Sequence, residues 1–199
     1  MNWWKKFWEV QHEESHSILG GARSGKSHFA QEYAHQHGEK VLYVATAAAG
    51  DADMQSRIEK HKQVRPSHWR TLEAATNIGG QIETSAGDAQ LIIIDCITLL
   101  INNIFSHYEE TEFDTIDDTV LEKEVVDEIQ QLQKCLKKVD ASFLIVSNEV
   151  GLGLVPDNRM GRLYRDNLGR ANQMLAQTAD QVMLLVAGIP LQVKPNDSL

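Results

Sequence analysis

Eight consecutive residues, Gly20-Gly21-Ala22-Arg23-Ser24-Gly25-Lys26-Ser27, spell G-x-x-x-x-G-K-S. A short run ending Ile18-Leu19 precedes them and a segment with helical spacing follows, which is the context this spelling demands. The chemistry explains the residues. Glycines let backbone N–H groups turn inward around phosphate oxygens, and the N-terminus of the next helix adds partial positive charge. Lys26 is then placed to reach the β and γ phosphates. Ser27 sets its hydroxyl on a Mg²⁺ ion that bridges the terminal phosphates of a nucleoside triphosphate such as GTP or ATP.

The rest of the chain fits the fold such a loop requires. Short apolar runs alternate with longer helical segments, the signature of βαβ units around a parallel sheet. Strands are predicted at His16–Leu19, Val41–Thr46, Leu91–Ile94, Ser142–Ser147 and Gln181–Val186, with a short last one at Leu191–Lys194 after a Gly188-Ile189-Pro190 turn. Helices are predicted at Lys26–His37, Met54–Gln63, Ala74–Glu83, Thr98–Phe105, Thr119–Lys138 and Asn158–Ala179. In the Thr119–Lys138 segment, Leu121, Val125, Ile129, Leu132 and Leu136 recur at helical steps and mark a core stripe. The expected fold is a single α/β domain over 16–195: a phosphate-loop (P-loop) NTPase, RecA-like, with a mostly parallel sheet flanked by helices. The first strand is short and polar at its start, Glu14-Ser15-His16-Ser17, so the sheet is expected to be weaker there or to be supported by the residues before it. The acidic stretch His107–Asp118 reads as a solvated loop.

A phosphate loop also needs a carboxylate at the end of a neighbouring apolar strand, to hold the metal directly or through water. Leu91-Ile92-Ile93-Ile94-Asp95 supplies one, on the ligand side of an α/β sheet. Ser27 and Asp95 are therefore the metal candidates.

Composition removes other classes. With 28 acidic against 19 basic residues among 199, the net charge of −9 argues against nonspecific grip on nucleic acid. Cys96 and Cys135 show no metal-like spacing and read as buried thiols of a reducing, cytoplasmic setting. The apolar run ending at Ile94 is far below the ~20 residues needed to span a bilayer, so no membrane span is expected. Met1–Val10, with Trp3, Trp4, Phe7 and Trp8 around Lys5 and Lys6, lacks the features of a signal peptide. Residues 1–15 are read as an extension that covers an exposed patch, packs on a neighbouring copy or lies on a membrane surface.

In the segment after the second strand, Asp53, Arg57 and His61 fall at i, i+4 and i+8 and share one face if the segment is helical. From here the chain resembles the bifunctional adenosylcobinamide kinase / adenosylcobinamide-phosphate guanylyltransferase family of cobalamin biosynthesis. The matching pieces are GGARSGKS, YVATA, DMQSRIEKHKQVRPSHWRTLE, IIIDCITLLINNIF and the run from VSNEVGLGLVPDNRMGRLYRDNLGRANQ to GIPLQVK. RI-x-x-H-x-x-x-RP-x-x-W-x-T-x-E and NEVG-x-G-x-VP with RD-x-x-GR-x-NQ are highly specific in combination. The resemblance runs from about Ile18 to Lys194.

It implies two reactions on one polypeptide. A nucleoside triphosphate phosphorylates the aminopropanol hydroxyl of adenosylcobinamide, and GTP then donates GMP through a covalent histidine, giving adenosylcobinamide-GDP and pyrophosphate. The guanylylated histidine of the RI-x-x-H motif corresponds to His61, with His68 and Lys60 as rivals. Neutral imidazole is a good nucleophile at phosphorus. Lys62 and Arg65 would stabilise charge developing on the α-phosphate and favour the neutral imidazole. The resemblance further implies that Ala45, Thr46, Ala47, Lys62, Gln63, Val64, Arg65 and Glu73 line the guanine nucleotide site, and that the protein is a homotrimer. Asn148 and Glu149 either contact cobinamide or the metal, or belong to a capped loop with Gly151 and Gly153. Arg159, Arg162, Arg165 and Arg170 either meet phosphates or form a salt-bridged face.

Two other readings differ in chemistry. A single-function small-molecule kinase would keep Lys26, Ser27 and Asp95 and give His61 no covalent role. A regulatory GTPase would need Asn-Lys-x-Asp after a strand, whereas the near match Lys137-Lys138-Val139-Asp140 lacks the asparagine and precedes a strand.

Overall fold

The computed structural model describes residues 14–47 and 65–195. The predicted helix Met54–Gln63 and residues 1–13 of the extension lie outside the described residues. Seven strands form one sheet: β1 (Ser15–Gly20), β2 (Val41–Ala45), β3 (Arg70–Glu73), β4 (Leu91–Asp95), β5 (Ser142–Val146), β6 (Gln181–Val186) and β7 (Ile189–Lys194), in the order β3-β2-β4-β5-β1-β6-β7. Every pairing is parallel except β6 with β7. The helices are α1 (Lys26–His37), α2 (Ile78–Ser85), α3 (Ile97–Phe105), α4 (Asp118–Lys138) and α5 (Arg159–Thr178).

Two cores cover the two faces of this sheet. One is built by α2 to α5 on Leu42, Val44, Ile92, Ile94, Phe143 and Ile145. The other packs α1 residues Phe29, Ala30, Tyr33 and Ala34 with Trp69 on Ile18, Tyr43, Ile93, Leu144 and Val146. Alternate residues of β2, β4 and β5 thus enter opposite cores, so these strands read as continuous apolar runs. The α4 stripe behaves as its spacing predicts: Leu121, Val125, Ile129 and Leu132 are buried and Leu136 packs partly buried beside them.

Four expectations need correction. β1 is six residues long rather than four and lies inside the sheet, with partners for the polar groups at its start. The Ser15 N–H and hydroxyl donate to Asp180 Oδ2 at 2.7 and 3.1 Å, and His16 Nε2 lies 3.1 Å from Glu14 Oε2. The predicted helix Ala74–Glu83 is displaced, since Arg70–Glu73 extends as an edge strand on β2 and the helix begins only at Ile78. The turn before the last strand is Ala187-Gly188, with φ of 51° and 80°, rather than Gly188-Ile189-Pro190. Two left-handed residues make the two-residue hairpin whose twist matches its strands. Finally, the acidic segment is more than a solvated loop. Its carboxylates are exposed, but Glu110–Asp114 forms a 3₁₀ turn that buries Phe113 in a stack on Phe105, ring centroids 5.6 Å apart.

Candidate active site

The phosphate loop runs from the end of β1 into α1, between the C-terminal ends of β5 and β6. Its backbone is held in shapes that explain its glycines. A Cβ on Gly20 would lie 2.6 Å from both the Leu185 carbonyl oxygen and Ser24 Oγ, and Gly25 has φ of 97°. Arg23, exposed at the loop crest, also takes a left-handed φ of 57°. Gly21 and Ala22 are exposed, whereas Ser24 is buried and its carbonyl accepts from Gly188 N–H at 2.8 Å, tying the loop to the β6–β7 hairpin. Lys26 folds over the loop, its Nζ donating to the Gly21 carbonyl at 2.7 Å. Burial holds the Lys26 ammonium below the usual lysine range, with Asp95 among the groups that oppose this.

Asp95 sits across from the loop at the C-terminal end of β4. Ser27 Oγ donates to its Oδ1 at 3.2 Å, and the Tyr43 hydroxyl donates to its Oδ2 at 2.5 Å. The Ser27–Asp95 pair offers a hydroxyl and a carboxylate, the hard oxygen donors that Mg²⁺ takes alongside phosphate oxygens and water. Register places the expected nucleotide residues beside them. Glu73, Ala45 and Asp95 are mutual neighbours across β3, β2 and β4, one row at the C-terminal edge of the sheet.

Thr46 follows that row but turns away from open space. It is fully buried, its hydroxyl donates to the Cys96 carbonyl at 2.7 Å and accepts from Cys96 N–H at 2.8 Å. Asn103 Nδ2 in turn donates to the Thr46 and Ala75 carbonyls at 2.7 and 2.9 Å. Thr46 therefore clasps the peptide that follows Asp95, and Ala47 is the half-buried residue next to it. Cys96 is partly buried, and Cys135 fully so. Burial and the neighbouring Asp95 push the Cys96 thiol up to about 11, which leaves it protonated and a poor nucleophile at neutral pH.

Arg65 stacks on Tyr43, its guanidinium carbon 3.7 Å from the ring centroid. Its Nε and Nη1 are shielded from solvent and meet no acceptor among the described residues. Trp69 and Thr71–Glu73 of the W-x-T-x-E piece serve the core and the edge strand. His68 is exposed beside Trp69. His61, Lys62, Gln63 and Val64, like Lys60, Asp53 and Arg57, lie outside the described residues.

At the end of β5, Asn148 and Glu149 are half-buried. Glu149 N–H donates to the Gly20 carbonyl at 2.9 Å, and its carboxylate accepts from Gly151 N–H. Asn172, from RD-x-x-GR-x-NQ, accepts from Ser147 Oγ at 2.6 Å and donates to the Asn148 carbonyl at 3.0 Å. The four arginines of α5 find protein partners: Arg159 the Phe113 and Ile116 carbonyls and Asp118, Arg162 the Pro156 and Asp157 carbonyls, Arg165 the Gly151 carbonyl and Arg170 the Glu122 carboxylate. These contacts brace α5 against the segments around it. Tyr43 is the residue sequence reasoning passed over. Its signal was a hydroxyl in an otherwise apolar buried strand, which needs a partner.

A family model described as cobinamide kinase / cobinamide phosphate guanyltransferase matches residues 16–193. The chain belongs to this family. It is 39% identical over 178 residues to the bifunctional adenosylcobalamin biosynthesis protein CobU of Salmonella typhimurium, covering 89% of this chain and 98% of that protein. It is 37% identical to CobU of Escherichia coli over the same shares, and 37% identical to the bifunctional protein CobP of Pseudomonas aeruginosa over 89% and 95%. The fold, a single mostly parallel α/β sheet with a phosphate loop, is the one the resemblance implies, and the bifunctional relatives favour a two-activity transferase over a kinase alone.

Proposed function

We propose that this chain phosphorylates adenosylcobinamide with ATP or GTP and then transfers GMP from GTP to the phosphorylated product through a guanylyl-histidine on His61. The observation that carries this reading is the Ser27–Asp95 pair facing Lys26 at the phosphate loop, in a chain whose match to bifunctional relatives runs almost end to end. In the kinase step, backbone N–H groups of residues 20–27 cradle the phosphates and Lys26 offsets charge as the γ-phosphoryl group moves to the substrate hydroxyl. Ser27 and Asp95 would hold Mg²⁺, which when bound neutralises charge on the terminal phosphates. In the guanylyl step, a neutral His61 nitrogen bonds to the α-phosphorus as the bond to the β-phosphate oxygen breaks and pyrophosphate leaves. A phosphate oxygen of the corrinoid then takes the GMP, and His61 is released. Lys62, Gln63, Val64, Arg65, Ala45, Ala47 and Glu73 line the nucleotide on this reading, and Thr46 fixes the backbone behind Asp95.

The relatives' role as biosynthetic enzymes supports a cytoplasmic protein whose activities reside in the α/β domain, which takes in Ser15 as the first residue of β1. No helix among the described residues is long and apolar enough to cross a membrane. The family resemblance supports a homotrimer, and the exposed apolar side chains of β6 and β7 give subunits a surface to bury.

Intact mass after incubation with GTP and Mg²⁺ tests the central step. The wild-type chain is expected to gain the mass of one GMP and His61→Ala to gain none; no gain in either would leave a phosphate-loop kinase.

A further inference from the structure

The phosphoryl transfer proposed above releases a proton from the substrate hydroxyl, and none of the groups assigned so far takes it. Asp95 has Ser27 on one oxygen and Tyr43 on the other, and Lys26 brings a cation. The strands flanking β1 are β5 and β6, so their ends are the nearest sheet positions to the phosphate loop. The end of β6 is Val186-Ala187-Gly188, which carries no titratable side chain. The end of β5 leads into Ser147-Asn148-Glu149. Glu73 stands on β3, with β2, β4 and β5 between it and β1.

The backbone after β5 keeps pace with β1 into the loop. Ser147 N–H donates to the Ile18 carbonyl at 3.0 Å and Glu149 N–H to the Gly20 carbonyl at 2.9 Å, a two-residue step that extends the parallel ladder to the first glycine of the loop. Asn148, between them, is held from two helices: its N–H donates to Thr98 Oγ1 of α3 at 2.8 Å and its carbonyl accepts from Asn172 Nδ2 of α5 at 3.0 Å. The backbone at Glu149 is thus fixed by β1, α3 and α5 together. Its side chain is half-buried, and Oε1 accepts from Gly151 N–H at 2.6 Å. A Cβ on Gly151 would lie 2.8 Å from that oxygen, so the glycine permits the approach. Arg165 Nη2 donates to the Gly151 carbonyl at 2.9 Å and steadies the turn. No lysine, arginine or histidine among the described residues forms an ion pair with the Glu149 carboxylate.

We propose that Glu149 is the general base of the phosphoryl transfer. The substrate hydroxyl oxygen bonds to the γ-phosphorus as the bond from that phosphorus to the β–γ bridging oxygen breaks. The hydroxyl proton passes to the Glu149 carboxylate and then to solvent, and the nucleoside diphosphate leaves with the bridging oxygen. A carboxylate that accepts the substrate hydroxyl proton is a part other kinases use, and a fixed backbone with one unpaired carboxylate oxygen suits it. This rests on the kinase reading of the phosphate loop given above and makes no use of the guanylyl step.

The test uses the full chain, Mg²⁺, adenosylcobinamide and γ-labelled ATP or GTP, whichever the wild-type chain uses, with label transfer to the corrinoid as the readout. Glu149→Gln keeps an acceptor for Gly151 N–H and loses the base; its kcat is expected to fall roughly 100-fold or more, with KM for both substrates within about twofold of wild type. Glu149→Asp, which retains a carboxylate set back by one methylene, is expected to fall between the two. Circular dichroism checks folding, and electron paramagnetic resonance of Mn²⁺ with the β,γ-imido nucleotide analogue is expected to give an unchanged metal affinity. A kcat for Glu149→Gln within about threefold of wild type overturns the proposal. So does a loss of activity that tracks a weakened Mn²⁺ affinity, which would make Glu149 a metal ligand. Should Glu149→Gln not fold, a wild-type kcat in Glu149→Asp overturns it instead. A wild-type chain that binds nucleotide and transfers no label to the corrinoid sinks the kinase reading and this proposal with it; transfer by wild type and by Glu149→Gln alike sinks this proposal alone.

Discussion

His16 is 2% exposed on the interior strand β1, and burial lowers its imidazole from 6.5 to about 4 despite the opposing charge of Asp180. The folded state therefore resists protonation that the unfolded chain accepts. The stability linked to this group is present above about pH 6.5 and is lost as pH falls toward 4, reaching roughly 3 kcal/mol at most. Denaturant midpoints of the wild-type chain are expected to fall across that window. A His16→Gln chain is expected to lose less over the same interval, and an equal loss would exclude His16 as the source. At this scale the sequence showed a polar strand start without showing why it is tolerated. Asp180, 165 residues from Ser15, supplies the answer, and no local pattern announces so distant a partner. Tyr43 and Thr46 behave alike: each was visible as a residue type, but their attachments to Asp95 and to the Cys96 peptide exist only once β2 lies beside β4.

Among the elements, α2 has an N-terminus that no sequence motif marked. Asn77 precedes it in a left-handed conformation and makes no side-chain cap. The buried Glu128 carboxylate of α4 takes that role, accepting from Asn77 N–H at 2.8 Å and Ile78 N–H at 2.9 Å. Charge at a helix N-terminus and two satisfied donors make this a strong contact. Glu128→Ala is expected to lower the unfolding free energy by about 2–4 kcal/mol, and Glu128→Gln, which keeps one acceptor, by about half of that. Equilibrium denaturation measures both, and a loss under about 0.5 kcal/mol in the alanine chain would show that water replaces the carboxylate. The neighbouring β3 was illegible for a physical reason. Arg70 and Glu73 are exposed and only Leu72 packs on the core, so an edge strand of four residues carries no apolar periodicity. By contrast α4 and α5 were legible nearly to their ends, since long amphipathic stripes and the caps Asp117 and Asn158 are local signals.

For the whole molecule, the strand order sets β1 between β5 and β6, so the phosphate loop opens beside the ends of both and within reach of Asp95 on β4 through Ser27. The other consequence is the far edge. Leu184, Val186, Ile189, Leu191 and Val193 share one face of the β6–β7 hairpin by alternation and register. Four of them, Val186, Ile189, Leu191 and Val193, are 53–60% exposed. If subunits bury this face, Leu191→Glu is expected to shift the protein from a trimer to a monomer in light scattering, with the circular dichroism spectrum retained. An unchanged mass would place the contact elsewhere.

Sequence alone determined the phosphate loop, the carboxylate at the end of β4, the alternation of strands and helices and the family, because each is written in residues close together in the chain. Tertiary structure alone decided the strand order, the row of Glu73, Ala45 and Asp95, the Glu128 cap and the stack of Arg65 on Tyr43. Those depend on pairings between segments tens of residues apart, where burial forces polar groups to find partners that local spacing does not name.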